Sequence, residues 1–169
     1  MYPMIQWYLL QHHDRQYAII FQQLADCNVD YYTPFYTRFI HRTDKKNLTW
    51  RKKQTPLFPG YLFIYFDVKN IHTTTLKKIP GVVGFVRRGR QIITVPETVI
   101  AALKLLPANI TVKKTNEIEC RNVDPAMLAE VEKIASHAEP YFRFSALINL
   151  LDEVMVKGAS PTTRGNTVH

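Results

Sequence analysis

The residues best suited to acid–base or metal chemistry do not assemble into a reacting set. His12, His13, His41 and His72 have neither companion cysteines nor the spacing of a zinc site. No paired carboxylates, nucleophile–base set or glycine-rich phosphate loop stands in the chain. The expectation is a protein with no metal, no cofactor and no catalytic residues. What remains is non-covalent chemistry, and four stretches could supply it. Arg38 to Lys53 sets Lys45, Lys46, Arg51 and Lys52 among Phe39, Ile40 and Trp50. Cations there could hold phosphates while a ring stacks on a base, or the run could be a solvated hairpin tip. Arg87, Arg88 and Arg90 read the same way. His72-Thr73-Thr74-Thr75 could cap a helix, make an exposed polar contact, or do both.

The fourth stretch, Pro56-Leu57-Phe58-Pro59-Gly60-Tyr61-Leu62-Phe63-Ile64, is apolar. Proline cannot donate to a sheet ladder, so both prolines are expected before the strand. Gly60 gives the freedom for a sharp turn into Tyr61. Along the strand, Tyr61, Phe63 and Tyr65 point one way and Leu62, Ile64 and Phe66 the other. Both faces are apolar. One can pack on the domain's own helices, and the other needs a second cover.

Charge is divided unevenly. Residues 1–114 hold 17 Lys and Arg against 6 Asp and Glu, and residues 115–158 hold 4 against 8. A basic body suits a nucleic-acid partner, and an acidic segment can fold back on it. Cys27 and Cys120 stand far apart, as lone reduced thiols do in a cytoplasm. No cleavable leader and no membrane-length apolar run is read, so a cytoplasmic protein without membrane contact is expected.

The elements that must position these residues follow from periodicity. Ile5 to Leu10 reads as a buried strand. Asp14 offers an N-cap to a helix with Tyr17, Ile20, Phe21 and Leu24 at helical spacing, ending near Asn28. Val29 to Arg42 reads as a strand, residues 43–55 as a basic tip or loop, and 61–67 as the next strand. A short helix over 69–79, a strand over 81–87 turned by Gly89, and a helix opened by Val95-Pro96 complete an α+β domain with a largely antiparallel sheet flanked by helices. The expected organisation is a domain over 1–106, a linker over 107–123, a helical hairpin over 124–158 and a disordered tail over 159–169. Asp124-Pro125 starts the hairpin, and Met127, Leu128, Val131, Ile134, Ala135 and Ala138 form its first stripe. Glu139-Pro140 breaks the pattern. Phe144, Leu147, Ile148, Leu151, Val154 and Met155 form the second stripe. Two helices have too little core to stand alone, so the stripes must find a surface.

Several of these residues resemble a known family. Trp7-Tyr8-Leu9-Leu10, Pro34, the run from Pro56 to Phe63, Pro80-Gly81-Val82 and Val95-Pro96 are similar to the N-terminal domain of the NusG family of transcription elongation factors. Ile71-His72-Thr73-Thr74-Thr75 with Phe85-Val86-Arg87 resembles the specialised RfaH paralogue more than general NusG. The resemblance implies a factor that docks on the clamp helices of bacterial RNA polymerase and reaches the opposing gate loop, suppressing pausing and termination. It implies clamp-helix contacts at Leu9, Phe58, Tyr61, Phe63 and Ile100, and a gate-loop contact at His72, Thr73, Thr74 and Thr75. It implies contacts to the non-template DNA strand at His13, Gln16, Gln23 and Lys77. A general RNA- or ribosome-associated binding module is the alternative, and would bind nucleic acid without polymerase.

In the RfaH paralogue the C-terminal domain alternates between a hairpin masking the cavity and a five-stranded barrel that recruits a ribosomal protein. The resemblance therefore implies masking by Phe144, Leu147, Ile148 and Leu151, and a small-subunit ribosomal protein as a further partner. The residues themselves argue for the helical form. No glycine falls between Gly89 and Gly158, and tight barrel turns need residues that tolerate positive φ. Arg143 matches an arginine that the paralogue pairs with a glutamate across the domain interface, where this chain has Thr55. Apolar contact is thus expected to hold the hairpin.

Overall fold

The computed structural model describes residues 5–13, 15–41, 50–106 and 123–158. Its centre is an antiparallel sheet. β1 (Ile5–His12) pairs along its length with β5 (Tyr61–Asp67), from Ile5 opposite Asp67 to Gln11 opposite Tyr61. β2 (Asp30–Tyr32) adds to the other edge of β5. The free edge of β1 is shared by two short strands. β6 (Val82–Phe85) takes the Leu10–His12 end, and β9 (Thr94–Val95) takes Trp7 and Tyr8. Between them, β7 (Arg87–Arg88) and β8 (Gln91–Ile92) form their own small ladder. The strand expected over 81–87 thus ends at Phe85 and restarts.

Other expectations change in the same region of detail. The single strand expected over 29–42 is two. β2 stops at Tyr32, and β3 (Phe35–His41) leaves the central sheet after Pro34. Proline has no N–H to continue the ladder, and the Pro34 carbonyl instead accepts from the Leu57 N–H at 2.8 Å. The loop expected over 43–55 is, from residue 50, a strand. β4 (Trp50–Pro56) pairs with β3 from Phe35 opposite Pro56 to His41 opposite Trp50. Pro56 therefore closes β4 and does not lead into β5. Pro59 and Gly60 form that turn, with Gly60 at φ 83° and the Tyr61 N–H bonded to the Phe58 carbonyl at 3.1 Å.

Helix α1 (Tyr17–Asp26) is capped in position by Gln16, whose side chain makes no capping bond, while Asp14 lies outside the described residues. The helix closes at Asn28, at φ 56°, with the Val29 N–H on the Leu24 carbonyl at 2.9 Å. α2 (Thr73–Lys77) is shorter than the helix expected over 69–79, and α3 (Glu97–Lys104) begins just after Pro96 as read. α4 (Pro125–Ser136) and α5 (Pro140–Gly158) form the helical hairpin. Asp124 caps α4 through its carboxylate, which accepts from the Ala126 N–H at 3.0 Å, and Pro125 fills the first turn.

The sheet buries both faces. Leu62, Ile64 and Phe66 of β5, with Tyr8 and Leu10 of β1, pack beneath α1 and α2 through Ile20, Leu24 and Leu76. Burial and the nearby Asp67 charge push the Tyr8 phenol above its ordinary value, so it stays neutral inside this layer. The opposite face carries Leu9 and Phe63 and is covered by α3, α4 and α5.

Candidate functional site: an apolar cavity under a helical hairpin

Period-two alternation along β5 and β1 brings Phe63 and Leu9 to one face, directly opposite each other in register. Phe58, from the turn before β5, meets Phe63 edge to face, with ring centroids 6.3 Å apart. Ile100 joins them from α3. Four of the five cavity residues expected from the sequence are thus buried in one cluster. Tyr61, the fifth, is half-buried at its edge.

The same cluster includes Val131 and Ile134 of α4 and Leu147, Leu150 and Leu151 of α5. The Tyr61 ring stacks on Phe144, with centroids 3.8 Å apart and planes 14° from parallel. Of the expected masking residues, Leu147 and Leu151 are buried, while Phe144 and Ile148 pack at the margin. Leu150 was not expected there. It occupies the next turn of the helix after Leu147 and lies on the same face.

Apolar contact does not act alone. Arg143 is 3% exposed. Its Nε donates to the Leu57 carbonyl at 2.8 Å, across 86 residues of sequence, and one Nη donates to the His137 and Ala138 carbonyls at 2.8 and 3.0 Å. Its guanidinium also lies over the Tyr36 ring, 5.1 Å from the centroid. The expectation that loss of a glutamate at Thr55 leaves only apolar contact is therefore corrected: a backbone carbonyl replaces the carboxylate. A charge this deeply buried requires such partners. No side-chain pattern marks a carbonyl acceptor, so sequence reading had no means of finding Leu57. Arg88 and Asp152 add a half-exposed ion pair between β7 and α5.

Beyond the hairpin, the aromatic face continues. Trp7 and Tyr65 lie 5.0 Å apart, and Lys104 sits over both Trp7 and Tyr32 at 5.9 and 5.5 Å. A cleft of about 280 Å3 opens there between Trp7, Tyr65, Pro96 and Glu97.

The polar motifs lie on the other side of the sheet, with α1 and α2. His72 caps α2 through its ring: Nδ1 accepts from the Thr74 N–H at 3.3 Å and contacts the Thr74 hydroxyl at 2.7 Å. Capping thus falls to the histidine, and Thr74 and Thr75 are exposed with Thr73 half-buried. His13 and Gln16 border β6. The His13 N–H bonds the Gly81 carbonyl at 2.8 Å. The Gln16 side chain lies so close over Gly81 that a Cβ there would meet its amide oxygen at 2.2 Å. Lys77 reaches toward Gly84 of the same strand. Gln23 stands exposed two turns farther along α1. Arg51 and Lys52 are exposed on β4, and Lys45 and Lys46 lie outside the described residues. Among the described residues no group of three potential metal ligands gathers, and no helix is long and apolar enough to cross a membrane.

A family profile described as transcription termination factor NusG matches residues 5–104, which is β1 through the end of α3. The chain belongs to the NusG family. NusG proteins are transcription elongation and termination factors, not a family of enzymes. A solved structure described as domain interaction in Thermotoga maritima NusG is similar at 17% identity and a TM-score of 0.41, over 67% of this chain and 62% of that one. This chain thus spans less than two thirds of that NusG's length.

Proposed function

We propose that this NusG-family chain is an RfaH-type antiterminator, with a polymerase-binding domain over residues 1–106 and a masking hairpin over 124–158. The cavity of Leu9, Phe58, Tyr61, Phe63 and Ile100 receives the clamp helices of bacterial RNA polymerase. His72 to Thr75 meets the gate loop. His13, Gln16, Gln23 and Lys77 face the non-template DNA strand, with Arg51, Lys52, Lys45 and Lys46 as further cations. Bound across the channel, the domain holds the clamp shut and suppresses pausing and termination. A ribosomal protein would be met through the C-terminal region.

One observation carries this reading. The family-matched face, from Leu9 to Ile100, forms a single core with Leu147 and Leu151 of the hairpin, and Phe144 lies on Tyr61. Were the clamp helices to occupy that face, α4 and α5 would have to leave it. The reading is therefore also one of autoinhibition.

The test uses the full-length chain and bacterial core polymerase. Arg143→Ala combined with Phe144→Ala should free the cavity and raise polymerase capture at least tenfold over the parent. Adding Tyr61→Ala to that variant should reverse most of the gain. Failure of the freed variant to bind polymerase at all would refute the docking assignment. On paused templates, replacing Thr73, Thr74 and Thr75 by alanine in the freed variant should reduce antipausing more than affinity. Equal loss of both would point to folding instead of the gate loop.

A further inference from the structure

The cleft beside the covered cavity has walls of unlike chemistry. In the sheet, Trp7 stands opposite Tyr65 of β5 on one side and Val95 of β9 on the other. Ile5, two residues before Trp7, shares its face of β1. The Trp7 and Tyr65 rings, with centroids 5.0 Å apart and planes tilted by 31°, make an aromatic wall. On the β9 side, Thr94, Pro96 and Glu97 make the other wall where α3 begins. Glu97 is exposed and has no ion-pair or hydrogen-bond partner among the described residues. No described residue of α4 or α5 lines the cleft, so it is open while the hairpin covers the cavity.

We infer that this cleft is a docking site for one arginine side chain of a partner polypeptide, its guanidinium laid against the Trp7–Tyr65 wall and forked onto the Glu97 carboxylate. Volume sets the size of the occupant. The cleft's roughly 280 Å3 falls just below the range of small-molecule sites, which begins near about 300 Å3, and suits a single long side chain. Charge sets the sign. Glu97 is the one charged side chain among the described residues lining the cleft, so it favours a cation and opposes a phosphate or a carboxylate. The rings act in the same direction, since an aromatic face attracts a cation. Trp7 already attracts one within the chain: Lys104 lies 5.9 Å from its centroid, although Lys104 does not line the cleft. Shape sets the kind of cation. A guanidinium is planar, stacks on rings and presents paired N–H donors that match a carboxylate, whereas an ammonium is a compact, strongly hydrated point charge. The methylene stem of the arginine would rest on Ile5 and Pro96.

This site lies outside the proposed function, which gives Trp7, Tyr65 and Glu97 no role. It rests on that reading only for the identity of the polypeptide. A polymerase approaching the masked protein would meet this cleft open and the cavity closed, so an arginine seated here would give a first hold before the hairpin leaves.

NMR titration of the isotope-labelled full-length protein, without polymerase, tests it. The probes are N-acetylarginine amide, its neutral isostere N-acetylcitrulline amide, and N-acetyllysine amide. The arginine amide should shift the Trp7 indole N–H resonance, assigned by its loss in Trp7→Phe, together with the Glu97 backbone amide. Its Kd should be about fivefold or more below that of either control. Glu97→Gln should weaken arginine amide by about fivefold or more while the rest of the spectrum stays in place, which separates a lost contact from a lost fold. Equal affinity for the citrulline amide, or unchanged binding in Glu97→Gln, would overturn the site. Lysine amide bound as tightly as arginine amide would overturn the guanidinium as its ligand. Polymerase takes no part in the titration, so this site and the docking cavity fail separately.

Discussion

The two faces of the central sheet are equally apolar but are covered by different means. Beneath α1 and α2, Leu62, Ile64 and Phe66 meet helices that each follow a strand of the sheet by a short connection, α1 after β1 and α2 after β5. On the other face, Phe63 and Leu9 are sealed partly by α3 and partly by a hairpin that begins at Pro125. The first cover is part of the domain's own folding unit. The second is reached only after α3, and one buried arginine, one ring stack and a surface ion pair supplement its apolar contacts. Under the proposed function, the nearer cover would serve stability and the distant cover over the family-matched face would serve regulation.

The largest effect that would sharpen this contrast comes from the face beneath α1 and α2. Ile64→Ala should cost about 2–5 kcal/mol and lower the urea midpoint of the whole domain. Arg143→Met should cost about 1.5–3 kcal/mol by leaving the Leu57 carbonyl without its charged donor. Its signature is spatial: amide exchange should accelerate in α4 and α5 while the β1–β5 ladder keeps its protection. If both regions loosened together, the two covers would be one cooperative unit and the comparison would break. Phe144→Leu should remove the stack on Tyr61 at about 0.5–1.5 kcal/mol, seen as a smaller rise in α5 exchange. Asp152→Asn should change docking by less than about 1 kcal/mol, and added salt should erase the difference, because the Arg88 pair is half-exposed.

Much of this was legible from residue types. Alternation along Tyr61 to Phe66 assigned each side chain its face, and the spacing of Leu147 and Leu151 identified the covering stripe. Asp124-Pro125 gave the start of α4 because a capping carboxylate and a first-turn proline act locally. The misreadings arose where local signals were weak or tertiary. Arg51, Lys52 and Lys53 look like a loop by polarity, yet pairing with β3 makes them a strand whose sides are both largely solvated. Pro34 was visible as an interruption, but not that the chain would change sheets there. Arg143 was flagged only by analogy, and its acceptor on Leu57 has no signature in a sequence, since every residue has a carbonyl.

The way Arg143 divides its hydrogen bonds has a further consequence. Of the three carbonyls it serves, those of His137 and Ala138 belong to the corner between α4 and α5, and only that of Leu57 belongs to the sheet domain. Letting go of Leu57 leaves the corner braced. On the masking reading proposed above, the lid would therefore swing off as a preshaped piece and settle back by rigid alignment, without rebuilding its bend on each return.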